Sequence, residues 1–71
     1  MRDVAINKEP VELYKILKFE GLVTSGAEAK QAIAEGMVMV NGETELRKRR
    51  KIMSGDSISF GEDTLQILLA P

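Results

Sequence analysis

Cysteine, histidine and tryptophan are absent from the 71 residues, and the aromatic side chains are limited to Tyr14, Phe19 and Phe60. Without cysteine or histidine, the chain has no disulfides, no zinc-type ligand set and no thiol or imidazole catalysis. Hydrophobic residues still make up 44% of the chain, enough to favour folding over disorder. We therefore predict a single domain, residues 1–71, with an aliphatic core, no metal and no cofactor.

Long apolar runs are also missing. The first residues, Met1-Arg2-Asp3, lead into short alternating residues instead of the apolar stretch of a signal peptide. No run approaches the ~20 residues that a membrane span requires. These features and the lack of cysteine favour a cytoplasmic protein without a membrane partner. We expect a monomer, in which an exposed sheet edge would permit only weak association.

The charge is distributed very unevenly, although the net charge is only −1. Half of the ten basic residues occupy five consecutive positions, Arg47, Lys48, Arg49, Arg50 and Lys51. The other residues carry five basic and eleven acidic groups, a net charge of −6. A strongly basic segment on an acidic body indicates a polyanionic partner.

The first half of the chain predicts a short edge strand around Val4 and Ile6, followed by a helix. Pro10 suits the first turn of this helix, where a missing N–H costs little. An apolar stripe follows at helical spacing, formed by Leu13, Ile16 and Leu17. Gly21 is placed to end the helix in a left-handed cap.

A second helix is predicted to begin after Ser25. Its hydroxyl can accept from the amide of Glu28, whose carboxylate can reach back to the amide of Ser25, forming a capping box. The small and apolar residues Ala29, Ala32 and Ile33 share one face, which favours close packing against the first helix. Gly36 supplies the C-terminal stop.

The second half of the chain has the pattern of strands. The apolar residues 37–40 end at Asn41-Gly42, a strong hairpin signal, and a return strand is predicted from Glu43 to about Arg47. After the basic segment come a turn at residues 54–56, a strand containing Ile58 and Phe60, a turn at residues 61–63, and a last strand. The predicted architecture is α+β, two antiparallel helices packed on a small, mostly antiparallel sheet.

The order of these elements resembles the S4 RNA-binding domain, which occurs in a ribosomal protein, pseudouridine synthases, tyrosyl-tRNA synthetases and small stand-alone proteins. The matching residues, spread over about residues 11 to 60, are Leu13, Leu17, Gly21, Ser25, Ala29, Ile33, Gly36, Val38, Val40, Asn41, Gly42, Gly55, Asp56 and Ile58. The resemblance implies the S4-like fold, or αL motif. It also implies binding to structured RNA, and the possible targets include ribosomal RNA, transfer RNA and the ribosome. It implies neither catalysis nor a small-molecule substrate.

One position departs from the pattern of this family. Many S4 domains have Ser-Arg at the start of the second helix, and that arginine contacts RNA, whereas this chain has Ser25-Gly26. Residues 25–30, together with the basic run before Gly55-Asp56, are more similar to small stand-alone bacterial members in which the domain is the whole protein. Residues 47–51 are then expected to supply most of the contact energy.

The basic residues 47–51 could also form a solvated loop that contacts nothing. Within an S4-like scaffold, contact with RNA is favoured, because arginine suits phosphates and unpaired bases while lysine acts as a point charge. In an extended segment neighbouring side chains alternate between faces. About three of the five side chains are therefore expected to share one surface.

Three further residues are candidate contacts near the second helix. Ser25 is first an N-cap, but free amides at a helix start also suit phosphate, and Gly26 would let a backbone approach closely. Lys30 lies one turn further along and is a second-tier candidate, with solvation as its alternative. The scarcity of aromatic residues indicates recognition of RNA shape and backbone.

No catalytic constellation is apparent. The paired carboxylates Glu62-Asp63 and Glu43/Glu45 have no accompanying base or metal ligand, and we expect them to be solvated. We therefore expect no enzyme activity. The rival function is a protein-interaction module that docks on an acidic partner. DNA binding is less favoured, because no predicted recognition helix carries the positive charge.

Overall fold

The computed structural model describes all residues, 1–71, as seven strands and two helices. In chain order these are β1 (Arg2–Ile6), β2 (Val11–Glu12), α1 (Leu13–Phe19), α2 (Gly26–Ala34), β3 (Val38–Val40), β4 (Glu43–Thr44), β5 (Lys51–Ile52), β6 (Ser57–Phe60) and β7 (Asp63–Leu69). Neither helix is long and apolar enough to cross a membrane.

Five strands form the main sheet in the order β1-β7-β6-β3-β4, and β2 pairs with β5 in a separate two-stranded ribbon. All pairs are antiparallel except β1 and β7, which run parallel. The predicted α+β class with a mostly antiparallel sheet is confirmed, and β1 is an edge strand as predicted. The alternating strand residues place Val4, Ile58 and Leu65 in the core beneath the helices.

The core consists of 15 buried aliphatic residues, as the scarcity of aromatic residues predicts. Leu13, Ile16 and Leu17 form the buried face of α1. The buried face of α2 is made of Ala29, Ala32 and Ile33, and the small size of the two alanines lets the helices pack closely. Tyr14 and Phe60 are only partly buried, and Phe19 is exposed.

The helix ends follow the predicted caps with one difference. The hydroxyl of Ser25 accepts from the Glu28 amide at 3.1 Å. Gly21 and Gly36 both have positive φ just beyond a helix, the conformation in which glycine avoids the penalty of a Cβ atom. The Glu28 carboxylate, however, accepts from the Thr24 amide at 3.1 Å instead of from the Ser25 amide.

Two predicted boundaries were wrong. Pro10 precedes α1 instead of opening it, because Val11–Glu12 pair with Lys51–Ile52 as a ribbon and the helix begins only at Leu13. The return strand of the hairpin ends at Thr44 instead of near Arg47. The Glu45 amide still donates to the Val38 carbonyl at 2.9 Å, but the Arg47 amide donates to the Glu45 carboxylate instead of to a neighbouring strand.

Candidate functional site

Residues 47–51 are called the basic loop; they turn tightly at residues 47–50 and enter β5 at Lys51, instead of forming the extended segment that we predicted. The Arg50 amide donates to the Arg47 carbonyl at 3.3 Å, which leaves Lys48 and Arg49 at the corner. The turn also satisfies the free amides at the start of α1. The carbonyl of Lys48 accepts from the Tyr14 amide at 3.2 Å, and that of Arg50 accepts from the Leu13 amide at 2.9 Å. The basic loop is therefore attached to α1 through its backbone.

Glu45 anchors the basic loop from below, and the prediction that this carboxylate is solvated was wrong. The residue is 6% exposed, the one charged residue among those that the fold buries. Its carboxylate accepts from the Arg47 amide at 3.0 Å, from Arg47 Nε at 3.0 Å and from Arg50 Nη1 at 2.8 Å. A buried carboxylate is tolerated only when it is paired and hydrogen-bonded in this way.

These contacts change the acidity of Glu45. The side-chain hydrogen bonds from Arg47, assisted by those from Arg50, lower the pKa of Glu45 from 4.5 to about 2, although burial acts in the opposite direction. The same contacts raise the pKa of Arg47. Glu45 therefore stays ionised at any physiological pH and holds both guanidinium groups in fixed orientations.

The ring of Tyr14 is a second point of organisation, which joins the basic loop to both helices. Lys30 Nζ lies 4.6 Å from the ring centroid, Arg49 Cζ lies 5.6 Å from it and Lys15 Nζ 6.0 Å. Cations at these distances are attracted by the π system of the ring. A Cβ atom on Gly26 would lie 3.6 Å from the same ring. The first helix, the start of the second helix and the basic loop therefore meet at Tyr14.

The basic loop surrounds an open depression whose lining is entirely cationic. The lining residues are Arg47, Arg49, Arg50 and Lys51. Four side chains of the loop, one more than the sequence predicts, thus share one surface. Two carboxylates reduce the local charge, since Glu45 pairs with Arg47 and Arg50 while Glu12 lies 3.6 Å from Arg49. The loop and these two carboxylates together carry a net charge of +3.

The other predicted contact residues differ in how much of their charge or polar group is free to bind a ligand. Lys48 and Lys51 are exposed and form no ion pair, so their charges are fully available. Lys30 faces Tyr14 and joins the loop through that ring. Gly26 packs on the same ring, whereas the Ser25 hydroxyl is occupied as an N-cap.

Sequence reasoning missed the parts played by Glu45, Tyr14 and Glu12. A signal for Glu45 was present, because it is an acid two residues before the first of five cations, within reach of their side chains. Tyr14 had no such signal, because its cationic neighbours Lys30 and Arg49 are distant in sequence.

The fold and the site together define a small α+β domain in which a cationic loop docks on a pair of helices. The model of the S4 domain family matches residues 4–68 of this chain. The chain therefore belongs to the S4 domain family, as the arrangement of helices, hairpin and turns predicts.

Several relatives are similar over nearly the whole chain. YbcJ of Escherichia coli (strain K12) and YbcJ of Shigella flexneri are each 48% identical over 69 residues, which cover 96% of this chain and 99% of theirs. A protein of Bacillus subtilis (strain 168) named "Probable ribosome maturation protein RlbA" is 34% identical over 57 residues, 80% of each chain.

A solved structure supports the same assignment. The solution structure of E. coli YbcJ matches with a TM-score of 0.73 and 48% identity, covering 96% of this chain and 87% of that one. That protein is described as containing an αL motif involved in RNA binding.

Proposed function

We propose that this chain is a non-enzymatic module that binds structured RNA, mainly through contacts between the basic loop and phosphates. The observation that carries the proposal is the depression lined by Arg47, Arg49, Arg50 and Lys51, which contains no acidic lining residue. Neutralisation of phosphates by lysine and arginine supplies essentially all of non-specific nucleic-acid binding and a large share of specific binding. A polyanion is the ligand that such a surface favours.

The geometry of the loop supports phosphate binding by fixed arginines. Arg47 is held to Glu45 through its amide and its guanidinium group, yet its side chain remains 74% exposed. A guanidinium group that is both oriented and exposed can still donate to a phosphate without losing much side-chain entropy. Lys48 and Lys51 would add mobile point charges around it.

Lys30, Ser25 and Gly26 are proposed as secondary contacts. Lys30 is the best supported of the three, because it lies on the Tyr14 ring beside Arg49 and so borders the basic loop. Ser25 and Gly26 would offer the first amides of α2, although the Glu28 carboxylate lies nearby and would weaken binding of an anion.

The relatives favour RNA over other polyanions. The solved YbcJ is described as having a motif involved in RNA binding, and the B. subtilis relative carries a ribosome maturation name. Ribosomal RNA, free or within a ribosomal particle, is accordingly the first target to test. The expected monomeric state and cytoplasmic location remain predictions.

A matched pair of variants tests the proposal. Arg49→Gln and Arg2→Gln each remove one exposed arginine that lies near a glutamate, at 3.6 Å from Glu12 and 3.8 Å from Glu20 respectively. Binding to a ribosomal RNA hairpin with a fully paired stem is measured at several salt concentrations. Arg49→Gln should weaken binding and reduce the slope of log affinity against log salt by about 1, whereas Arg2→Gln should leave both unchanged. Equal effects of the two variants would contradict the proposal.

The salt dependence of the unmodified protein gives a second test. With a net local charge of +3, the slope should be roughly −2 to −3, smaller than five free cations would give. Neutralising Lys48, Arg49 and Lys51 together should abolish binding, because it lowers the net local charge from +3 to zero. The fold should be retained, because this combination spares the two arginines that pair with Glu45. Circular dichroism of the triple variant would show that the fold is retained.

The same titrations distinguish the other functions. An affinity for duplex DNA equal to that for the RNA hairpin would indicate general nucleic-acid binding. Absence of binding to every nucleic acid, with retained binding to an acidic protein, would support the interaction-module alternative. Gly26→Glu tests the contact at the start of α2, since unchanged RNA affinity in this variant would remove Ser25 and Gly26 from the interface.

A further inference from the structure

A groove of about 650 Å3 lies between β1 and α1. Its mainly apolar walls include Val4, Ile6, Val11, Tyr14, Ile16 and Phe19. Its volume falls in the range of about 300–1,000 Å3 that is typical of small-molecule sites. Phe19 is 69% exposed at the end of α1, so its ring offers an apolar face that the fold itself does not cover.

The groove and the cationic depression adjoin each other at the side chain of Arg49. Arg49 lines the depression, and it lies 3.6 Å from Glu12 and 5.6 Å from the centroid of the Tyr14 ring. Both Glu12 and Tyr14 line the groove. A chain of nucleotides that leaves the basic loop past Arg49 therefore meets the groove next.

The charges around the groove also favour an anionic ligand. Its acidic lining residues are already paired, Glu12 with Lys15 and Arg49, and Glu20 with Arg2. Lys8 and Lys18 line the groove and form no ion pair. The uncompensated charge at the groove is therefore positive.

We infer that this groove receives one unpaired base of the bound RNA, stacked on the exposed ring of Phe19, with the neighbouring phosphates near Lys8 and Lys18. Aromatic rings stack on unpaired bases of any sequence. The outer edge of β1 has no neighbouring strand, so its outward N–H and C=O groups can bond to the edge of the base. The inference rests on the proposed function and specifies it: the preferred ligand is a structured RNA with a bulged or looped-out nucleotide.

Three RNA hairpins test the inference. They share one sequence and differ at one site, which is fully paired in the first, carries a bulged uridine in the second and an abasic bulge in the third. The unmodified protein should bind the uridine bulge at least about fivefold more tightly than the abasic bulge, the loss typical of removing one stacked base. Phe19→Ala should make these two affinities equal and leave the affinity for the fully paired hairpin unchanged.

Leu68→Ala is the matched control, because Leu68 is an apolar residue that is 43% exposed outside the groove. It should preserve the preference for the uridine bulge. A nuclear Overhauser effect between the uridine protons and the ring protons of Phe19 would show the stacking directly, without any substitution.

The outcomes separate this inference from the proposed function. Equal affinity of the unmodified protein for the uridine and abasic bulges, with retained binding to the paired hairpin, would overturn the groove inference and leave RNA binding in place. An equal loss on all three hairpins in Phe19→Ala would overturn it as well. Failure to bind any hairpin would overturn both.

Discussion

Replacement of Glu45 by glutamine should destabilise the protein, although it only exchanges one carboxylate oxygen for an NH2 group. The carboxylate is buried and accepts hydrogen bonds from Arg47 and Arg50. Its pKa falls from 4.5 to about 2, which corresponds to about 3 kcal/mol of stabilisation at 1.36 kcal/mol per unit. Because the Arg47 side chain is 74% exposed, solvent screens the pair. We therefore expect Glu45→Gln to lower the free energy of unfolding by about 1–2 kcal/mol at pH 7.

The difference between the two proteins should depend on pH in a defined window. Folding lowers the pKa of Glu45, so its ionised form stabilises the folded state fully above the unfolded value of 4.5. This contribution is lost as the pH falls from 4.5 toward about 2. The stability difference between the unmodified protein and Glu45→Gln should therefore be constant near neutral pH and shrink below pH 4.5.

Urea unfolding followed by circular dichroism measures this difference directly. Glu43→Gln is the control, because Glu43 lies two residues earlier, is exposed and forms no ion pair. In thermal unfolding the expected loss corresponds to a fall in melting temperature of roughly 5–15 °C for a domain of this size. A loss in Glu45→Gln no larger than that in Glu43→Gln, or a difference that persists unchanged at acidic pH, would refute the reasoning.

Substitutions at three other positions test the fold. Leu17→Ala truncates a fully buried side chain and should cost about 2–5 kcal/mol in urea unfolding; a loss below 1 kcal/mol would contradict its place in the core. Ser25→Ala removes the hydroxyl that accepts from the Glu28 amide and should lower the free energy of unfolding by about 1 kcal/mol. An unchanged free energy of unfolding would show that this cap does not stabilise the helix. Asn41 has a φ of 54° and its side chain bonds to Asp56 and to the Ser57 amide, so Asn41→Ala should cost about 2 kcal/mol by thermal unfolding. Asn41→Gly keeps the backbone conformation accessible and should cost less; the reverse order would contradict this explanation.

Local features of the sequence were sufficient to predict most of the fold. The N-cap at Ser25, the glycine stops at Gly21 and Gly36, and the hairpin at Asn41-Gly42 each depend on residues within a few positions of one another. A continuous apolar run before the hairpin turn likewise identified β3, and the alternation of apolar residues identified β6 and β7. Such features are visible in a single sequence because their energetics are local.

The β2–β5 ribbon was not predictable in this way. It consists of two residues on each side, separated by about half the chain, and Val11 and Glu12 have no pattern that distinguishes them from the start of a helix. Their pairing depends on the position that the rest of the fold gives to Lys51 and Ile52. Because this ribbon displaces the start of α1, the error at Pro10 has the same origin.

For the candidate site, the sequence by itself determined where the positive charge lies, since five adjacent cations must occupy one stretch of surface in any fold. Only the tertiary structure decided how that charge is presented. It turned residues 47–51 back on α1, buried Glu45 beneath Arg47 and Arg50, and gathered Lys30 and Arg49 around Tyr14. The physical reason is that a charge belongs to its residue, whereas burial and orientation depend on contacts between residues far apart in the chain.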